Sequence, residues 1–202
     1  MEVFLYTRIK VKKRMNKFNG KSSKYFNALI NTINNIKHDE IDNAISLISE
    51  KHLNGKQIIV IGNGGSSLNA LHYINDWNKS IFLKTKIRFL GRTLIDNLGL
   101  AFSYANDISF EDVFVEQLKN ILAPGDLLIA LSGSGNSKNV LKAVEFANSN
   151  NADTLSLCGF DGGELKKISK HCIWVNKNDM QLTEDIHFIF GHIVMQSLCN
   201  DL

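Results

Sequence analysis

Apolar positions recur along this chain in two rhythms. Around Tyr25, Phe26, Leu29, Ile30 and Ile33, and again around Ile41, Ala44, Ile45, Leu47 and Ile48, they fall three and four apart, which predicts two amphipathic helices. Ser22 is placed to cap the first, and the second begins near Asp39. The rhythm then changes to short apolar or β-branched runs at 57–61, 87–90, 126–131, 154–158 and 172–175, separated by stretches with helical spacing. Strands apolar on both sides are covered on both faces, and their alternation with helices makes the sheet parallel. The fold class is therefore α/β, a doubly wound parallel five-stranded sheet flanked by helices, with an N-terminal helix pair. A last helix runs from about Leu182 to the C-terminus.

Composition narrows the picture only slightly. The 202 residues are 44% hydrophobic and 21% charged, enough for one α/β core without disulfides or metals to hold it. The net charge of +3 resides in a basic leader: residues 1–21 carry seven Lys/Arg against one Glu, and the remaining 16 basic and 19 acidic residues leave the body at −3. We read 1–21 as a flexible leader, with Met15 a candidate natural start, and 22–202 as one domain. No apolar stretch has the length to cross a bilayer, and the leader lacks the apolar core of a secretory signal, so the expected location is cytoplasmic. The body has no nucleic-acid signature, and neither nucleic acid nor membrane is an expected partner. Cys158, Cys172 and Cys199 lie in or beside apolar runs and read as reduced core thiols. His38, His52 and His171 belong to no constellation and read as solvated.

Two loops carry the chemistry. Gly62-Asn63-Gly64-Gly65-Ser66-Ser67 and Ser132-Gly133-Ser134-Gly135-Asn136-Ser137 each follow a strand and open a helix. Small residues admit a phosphate close to the backbone, first-turn amides lack intrahelical acceptors, and serine hydroxyls add neutral donors. Neither loop has the Lys-Ser/Thr of a Walker loop or the Gly-x-Gly-x-x-Gly spacing, which favours a phosphorylated metabolite over a nucleotide. A tight connection alone would also use such glycines.

Together with Ala105-Asn106-Asp107 and Phe110, Gly159-Phe160-Asp161-Gly162-Gly163, and Glu184-Asp185-Ile186-His187 with His192, these motifs closely resemble the sugar isomerase (SIS) domain, and within it the phosphoheptose isomerases. The resemblance covers nearly everything after residue 22. It implies the flavodoxin-like SIS fold and conversion of sedoheptulose 7-phosphate to D-glycero-D-manno-heptose 7-phosphate for surface-polysaccharide heptose. It also implies a homotetramer built on the N-terminal helices, with active sites shared between subunits. Carried over by position, Ser132, Gly133, Ser134 and Ser137 form the phosphate cradle, with Gly133 where Thr is common. Asn63, Gly64, Gly65, Ser66, Asn106, Asp107 and Glu184 contact the open-chain sugar. His72, Asp76, Glu184 and His192 occupy the positions of a zinc site found in some members, and Asp76 and His192 take the catalytic base and acid roles.

The chain departs from the family at two of those four positions, with Asp for Glu at 76 and Glu for Gln at 184. Both keep an oxygen ligand. Met180 and Gln181 stand where an acidic residue usually contacts sugar hydroxyls, which leaves the sugar's identity open. Two alternatives accompany the isomerase: a noncatalytic SIS tetramer that binds phosphosugar or protein, of the replication-initiator-associating type, and a phosphosugar-sensing regulator, for which no DNA-binding domain is visible.

Overall fold

The computed structural model describes residues 18–200, so the leader lies outside the described residues up to residue 17. Strands β1 (Ile58–Gly62), β2 (Gly91–Thr93), β3 (Leu127–Ser132), β4 (Asp153–Cys158) and β5 (His171–Trp174) form one sheet in the order β2-β1-β3-β4-β5, with every pairing parallel. The helices are α1 (Lys21–Asn34), α2 (His38–Leu53), α3 (Gly64–Asp76), α4 (Phe82–Thr85), α5 (Leu98–Asp107), α6 (Val113–Ile121), α7 (Lys138–Ser149), α8 (Gly163–Ile168) and α9 (Met180–Leu198). A π-helical turn joins α3 to α4.

Successive strand residues feed two cores, as the pleat requires. Ile58, Val60, Leu127, Ile129 and Leu131 face Ala44, Ile48, Tyr73, Trp77 and Phe190, whereas Ile59, Ile61, Leu128 and Ala130 face Phe114, Leu118, Val140, Val144 and Leu165. All of β1 is buried and so is all of β3, which explains why their sequences are apolar throughout rather than alternating.

The chain divides into two compact units between Asn35 and Ile36, fourteen residues beyond the domain border read from composition. In the first, α1 buries only Thr32, and Tyr25, Phe26 and Ile30 stand exposed. Within the second, α2 is tied to the start of β4 by the buried Lys51, whose Nζ lies 2.5 Å from Asp153 Oδ2.

Three expectations need correction. Ser22 does not cap the first helix, because α1 already begins at Lys21 with Gly20 as its N-cap in the left-handed conformation. The second strand is Gly91–Thr93, not 87–90. Ile87 and Leu90 are exposed, and the side-chain amide of Asn78 brackets Gly91 by accepting from its N–H at 3.0 Å and donating to its carbonyl at 2.9 Å. That bracket sets where pairing with β1 begins. His52, read as solvated, is buried and stacks on Phe89 with ring centroids 5.0 Å apart.

His187 is buried outright, with neither ring nitrogen bonded among the described residues, and desolvation pushes its pKa from 6.5 down to about 3. It is neutral in the fold and binds a proton below about pH 6.5 once unfolded. Its contribution is therefore fully present above pH 6.5 and is lost as the pH falls toward 3, at about 1.4 kcal/mol per unit. Guanidinium denaturation should show stability lower by roughly 2 kcal/mol at about pH 5 than above pH 7, with a smaller drop in His187→Leu. Equal drops in the two proteins would trace the acid sensitivity to another group.

Candidate active site

The strand order reverses between β1 and β3, and the loops leaving these two strands flank that point on the carboxyl side of the sheet, where ligands of doubly wound folds bind. Gly62 has no room for a side chain, because a Cβ there would come within 2.7 Å of Ser66 Cβ and 2.9 Å of the Leu131 carbonyl. The chain then turns through Gly64 at φ 52° into α3. Asn63 and Asn139 clamp the two loops together: each side-chain amide donates to the other's oxygen, at 2.8 and 2.9 Å.

The β3 loop is supported from behind. Gly135 has φ 66° and abuts the Gly162 carbonyl, so neither its conformation nor its surroundings admit a side chain. Gly159 N–H donates to the Gly133 carbonyl at 2.8 Å, and Leu165 N–H to that of Gly135 at 2.9 Å. The Gly159-Phe160-Asp161-Gly162-Gly163 motif therefore holds the shape of the serine loop. Ser137 precedes the twelve-residue α7 without capping it through its side chain, so the helix presents its first turn to the cavity. Lys138 is drawn off to Glu111, 2.8 Å away, which leaves hydroxyls and amides as the local donors.

A cavity of 260 Å³ lies between the loops, lined by Asn63, Gly64, Gly65, Ser66, Ser132, Gly133, Ser134, Ser137, Met180 and Glu184, with Leu131 beneath. Two of its walls come from the first turns of α9. The Glu184 carboxylate fills the space beside Gly65, within 2.7 Å of where a Cβ would stand. Met180 Sδ likewise fills the space beside Gly133.

Farther along α3, His72 and Asp76 lie one turn apart on one face, as their spacing predicts. They meet His192 of α9. His72 Nε2 is 2.9 Å from His192 Nε2 and 3.2 Å from Asp76 Oδ2, and His192 Nε2 is 3.8 Å from the same oxygen. The three donor atoms lie within 4.8 Å of one another. Phe188, four residues before His192, packs on both imidazoles, with centroids 4.6 and 4.8 Å away. Two imidazole nitrogens and a carboxylate suit a first-row divalent ion, zinc above all, with coordination positions left open. The same set can move protons between adjacent carbons.

Of the residues singled out from sequence, Asn63, Gly64, Gly65, Ser66, Ser132, Gly133, Ser134, Ser137 and Glu184 line one cavity, and His72, Asp76 and His192 form one cluster. Two placements differ and one is refined. Glu184 stands outside the cluster, because eight residues of helix carry it about 12 Å along α9 from His192. The Asn63 side chain lines the cavity while exchanging a pair of hydrogen bonds with Asn139, so part of its bonding capacity is already used. Asn106 and Asp107 end α5 in exposed positions, bonded to each other at 2.8 Å and absent from the cavity wall, because α5 follows the edge strand β2. Sequence reasoning missed Asn139 as the loop clamp and Phe188 as the wall of the cluster. The place of Phe188, midway between Glu184 and His192 at helical spacing, was the available signal.

These features define a SIS domain, and the model of that family matches residues 23–159, more than half of the chain. The phosphoheptose isomerase of Aliarcobacter butzleri is 32% identical over 165 residues, covering 81% of this chain and 86% of its own. That of Helicobacter pylori strain 26695 is 33% identical over 156 residues, covering 77% and 81%. The structure of the Neisseria gonorrhoeae phosphoheptose isomerase superposes with a TM-score of 0.82 at 23% identity, over 92% of this chain and all of that one, and so shares the fold. The chain belongs to the phosphoheptose isomerase family of SIS-domain proteins.

Gly133 owes its identity to Met180, since its own φ is not in the left-handed region. Gly133→Thr should therefore destabilise the protein by about 1–3 kcal/mol through overpacking, and Met180→Ala in the same chain should recover most of that loss. Thermal melts of the single and double variants test the pair. Additive effects would mean that the two side chains do not compete for one space.

Proposed function

We propose that the protein is an aldose–ketose isomerase of phosphorylated open-chain sugars, acting on sedoheptulose 7-phosphate to give D-glycero-D-manno-heptose 7-phosphate. The observation that carries this reading is the arrangement along α3. Its first turn borders a cavity of neutral anion donors, and its last turn bears the acid–base cluster. Gly65 and His72 are separated by about 10 Å along the helix axis, a span that suits a sugar with phosphate at one end and a reacting carbonyl at the other.

In this reading the phosphate binds Ser132, Ser134, Ser137 and the α7 amides, where the helix dipole favours negative charge. The Glu184 carboxylate sits across the cavity, repels the phosphate from loop β1 and accepts sugar hydroxyls. Asp76 takes the proton from the carbon beside the carbonyl, and His192 returns one to the neighbouring carbon and its oxygen. His72 orients both through its contacts with them. His72, Asp76 and His192 would hold a zinc ion, which would supply positive charge for the enediolate oxygens. The product would feed heptose into surface polysaccharide. In this reading the enzyme acts in the cytoplasm.

We further propose a homotetramer assembled through α1, whose Tyr25, Phe26 and Ile30 are exposed, with Asn106 and Asp107 reaching a neighbouring subunit's site. Multi-angle light scattering should give four chains per particle at micromolar concentration. A monomer there would remove this assembly.

Turnover decides the main proposal. The wild type should convert sedoheptulose 7-phosphate to the aldose, and Asp76→Asn should lower kcat by at least a thousandfold, since it removes the proton acceptor and keeps the shape. The Ser132/Ser134/Ser137 triple alanine variant should instead lose sugar-phosphate affinity in calorimetry. Full turnover by Asp76→Asn would exclude it as the base. If wild type and Asp76→Glu bind the sugar phosphate and are both inert, the noncatalytic phosphosugar-binding or protein-binding tetramer takes the place of the enzyme.

A further inference from the structure

Two of the three thiols stand together outside the cavity lining and the cluster, with Cys158 paired in register with the cavity residue Ser132. Cys158 ends β4, Cys172 lies in the edge strand β5, and their Sγ atoms are 3.4 Å apart. Cys172 pairs in register with Ser156, and Cys158 with Trp174, so the thiols are diagonal neighbours on the same face of adjacent parallel strands. Cys158 is buried, whereas Cys172 is partly exposed. Lys166 of α8 places its ammonium 3.2 Å from the centre of the Trp174 ring, which puts positive charge beside the pair.

We propose that Cys158 and Cys172 form a redox modification site, which small-molecule disulfides such as glutathione disulfide convert to a reversible protein disulfide that loosens the Gly159–Gly163 turn on the serine loop. Reaction starts at Cys172. It is the partly exposed thiol of the two, and the contact between the two sulfurs lowers the pKa of Cys172 and raises that of the buried Cys158. The Cys172 thiolate attacks one sulfur of the small disulfide, whose S–S bond breaks to release a thiolate. Cys158 then gives its proton to solvent and attacks Cys172 Sγ, and the second small thiolate leaves. The two protein thiols are oxidised by two electrons, and one small disulfide is reduced to two thiols.

The link to the loop is geometric. Closing the bond shortens the sulfur separation from 3.4 Å to about 2 Å and draws the end of β4 toward β5. The next residue, Gly159, donates its N–H to Gly133, and Gly135 accepts from Leu165 just beyond the turn. Movement at Cys158 therefore strains the bonds that shape the serine loop.

The test uses the full-length protein exposed to glutathione disulfide, with the remaining thiols alkylated before peptide mapping. A protein lighter by about 2 Da, with Cys158 joined to Cys172 and Cys199 still alkylated, is expected, together with reversal by dithiothreitol. Amide hydrogen exchange in 132–137 and 159–163 should be several-fold faster in the oxidised form. Cys172→Ser should form no bridge, and its exchange should not respond to the disulfide. Differential alkylation of the wild type decides the same question if that variant folds poorly. Glutathione left as a stable adduct on Cys172, both thiols alkylated after prolonged oxidation, or a bridge that leaves exchange unchanged would each overturn the proposal.

Discussion

Two glycines on opposite helices let α3 and α9 run side by side. At one end Gly65 of α3 makes room for the Glu184 carboxylate, and at the other Gly191 of α9 makes room for the ring of Tyr73. The contact is locked by polar bonds as well as packing. Tyr73 donates its hydroxyl to the His187 carbonyl, and Trp77 Nε1 donates to that of Gly191 at 2.9 Å. Both carbonyls lie within a helix, so these bonds add a second donor to groups already used by the backbone. Such bonds fix the helices in rotation as well as in distance. His72 and His192 owe their 2.9 Å separation to that alignment, because each leaves its helix on the face turned toward the other.

Across the sheet's switch point a different device operates. The reciprocal Asn63–Asn139 amide pair joins the loop after β1 to the helix after β3 without a charged group. An ion pair here would place a cation or an anion beside the serine donors and bias what binds. With Lys138 held by Glu111, the serine loop keeps a neutral set of donors on a helix N-terminus, and Glu184 puts a single carboxylate on the opposite wall. A dianionic ligand in this cavity would thus be oriented by repulsion at one side and by amide dipoles at the other.

Much of this was legible in the residues, and what was not depends on contacts between distant segments. The buried strands β1 and β3 declare themselves as nearly unbroken apolar runs, β4 is the same signal interrupted by the buried Thr154 and Ser156, and the loops Gly62–Ser67 and Ser132–Ser137 carry their chemistry in composition alone. The edge strand β2 does not, because three residues paired on one side leave little pattern, and Asn78, thirteen positions away, decides where it starts. The trio of His72, Asp76 and His192 was recoverable from spacing joined to family likeness. The place of Glu184 was legible too, since eight helical residues put it about 12 Å along the axis from His192, and it was the family likeness alone that set it in the cluster. His52 read as a solvated histidine, and only the packing of α2 against the sheet reveals it as buried.

Gly133 and Met180 meet on one wall of the cavity. A glycine at 133 leaves a space that the Met180 thioether fills, so the first turn of α9 supplies the side chain that stands beside the serine loop. That side chain is unbranched and polarisable, with several rotamers. It also ties the cavity wall to α9, whose N-terminus is anchored by Asp179 accepting from Leu182 N–H at 3.1 Å. The same helix carries Glu184 into the cavity and His192 into the acid–base cluster. Any ligand that displaced Met180 would therefore press on the element that positions both, and in the proposed reaction the fit of the phosphate end would be coupled to the geometry of the His192 cluster about 18 Å farther along α9.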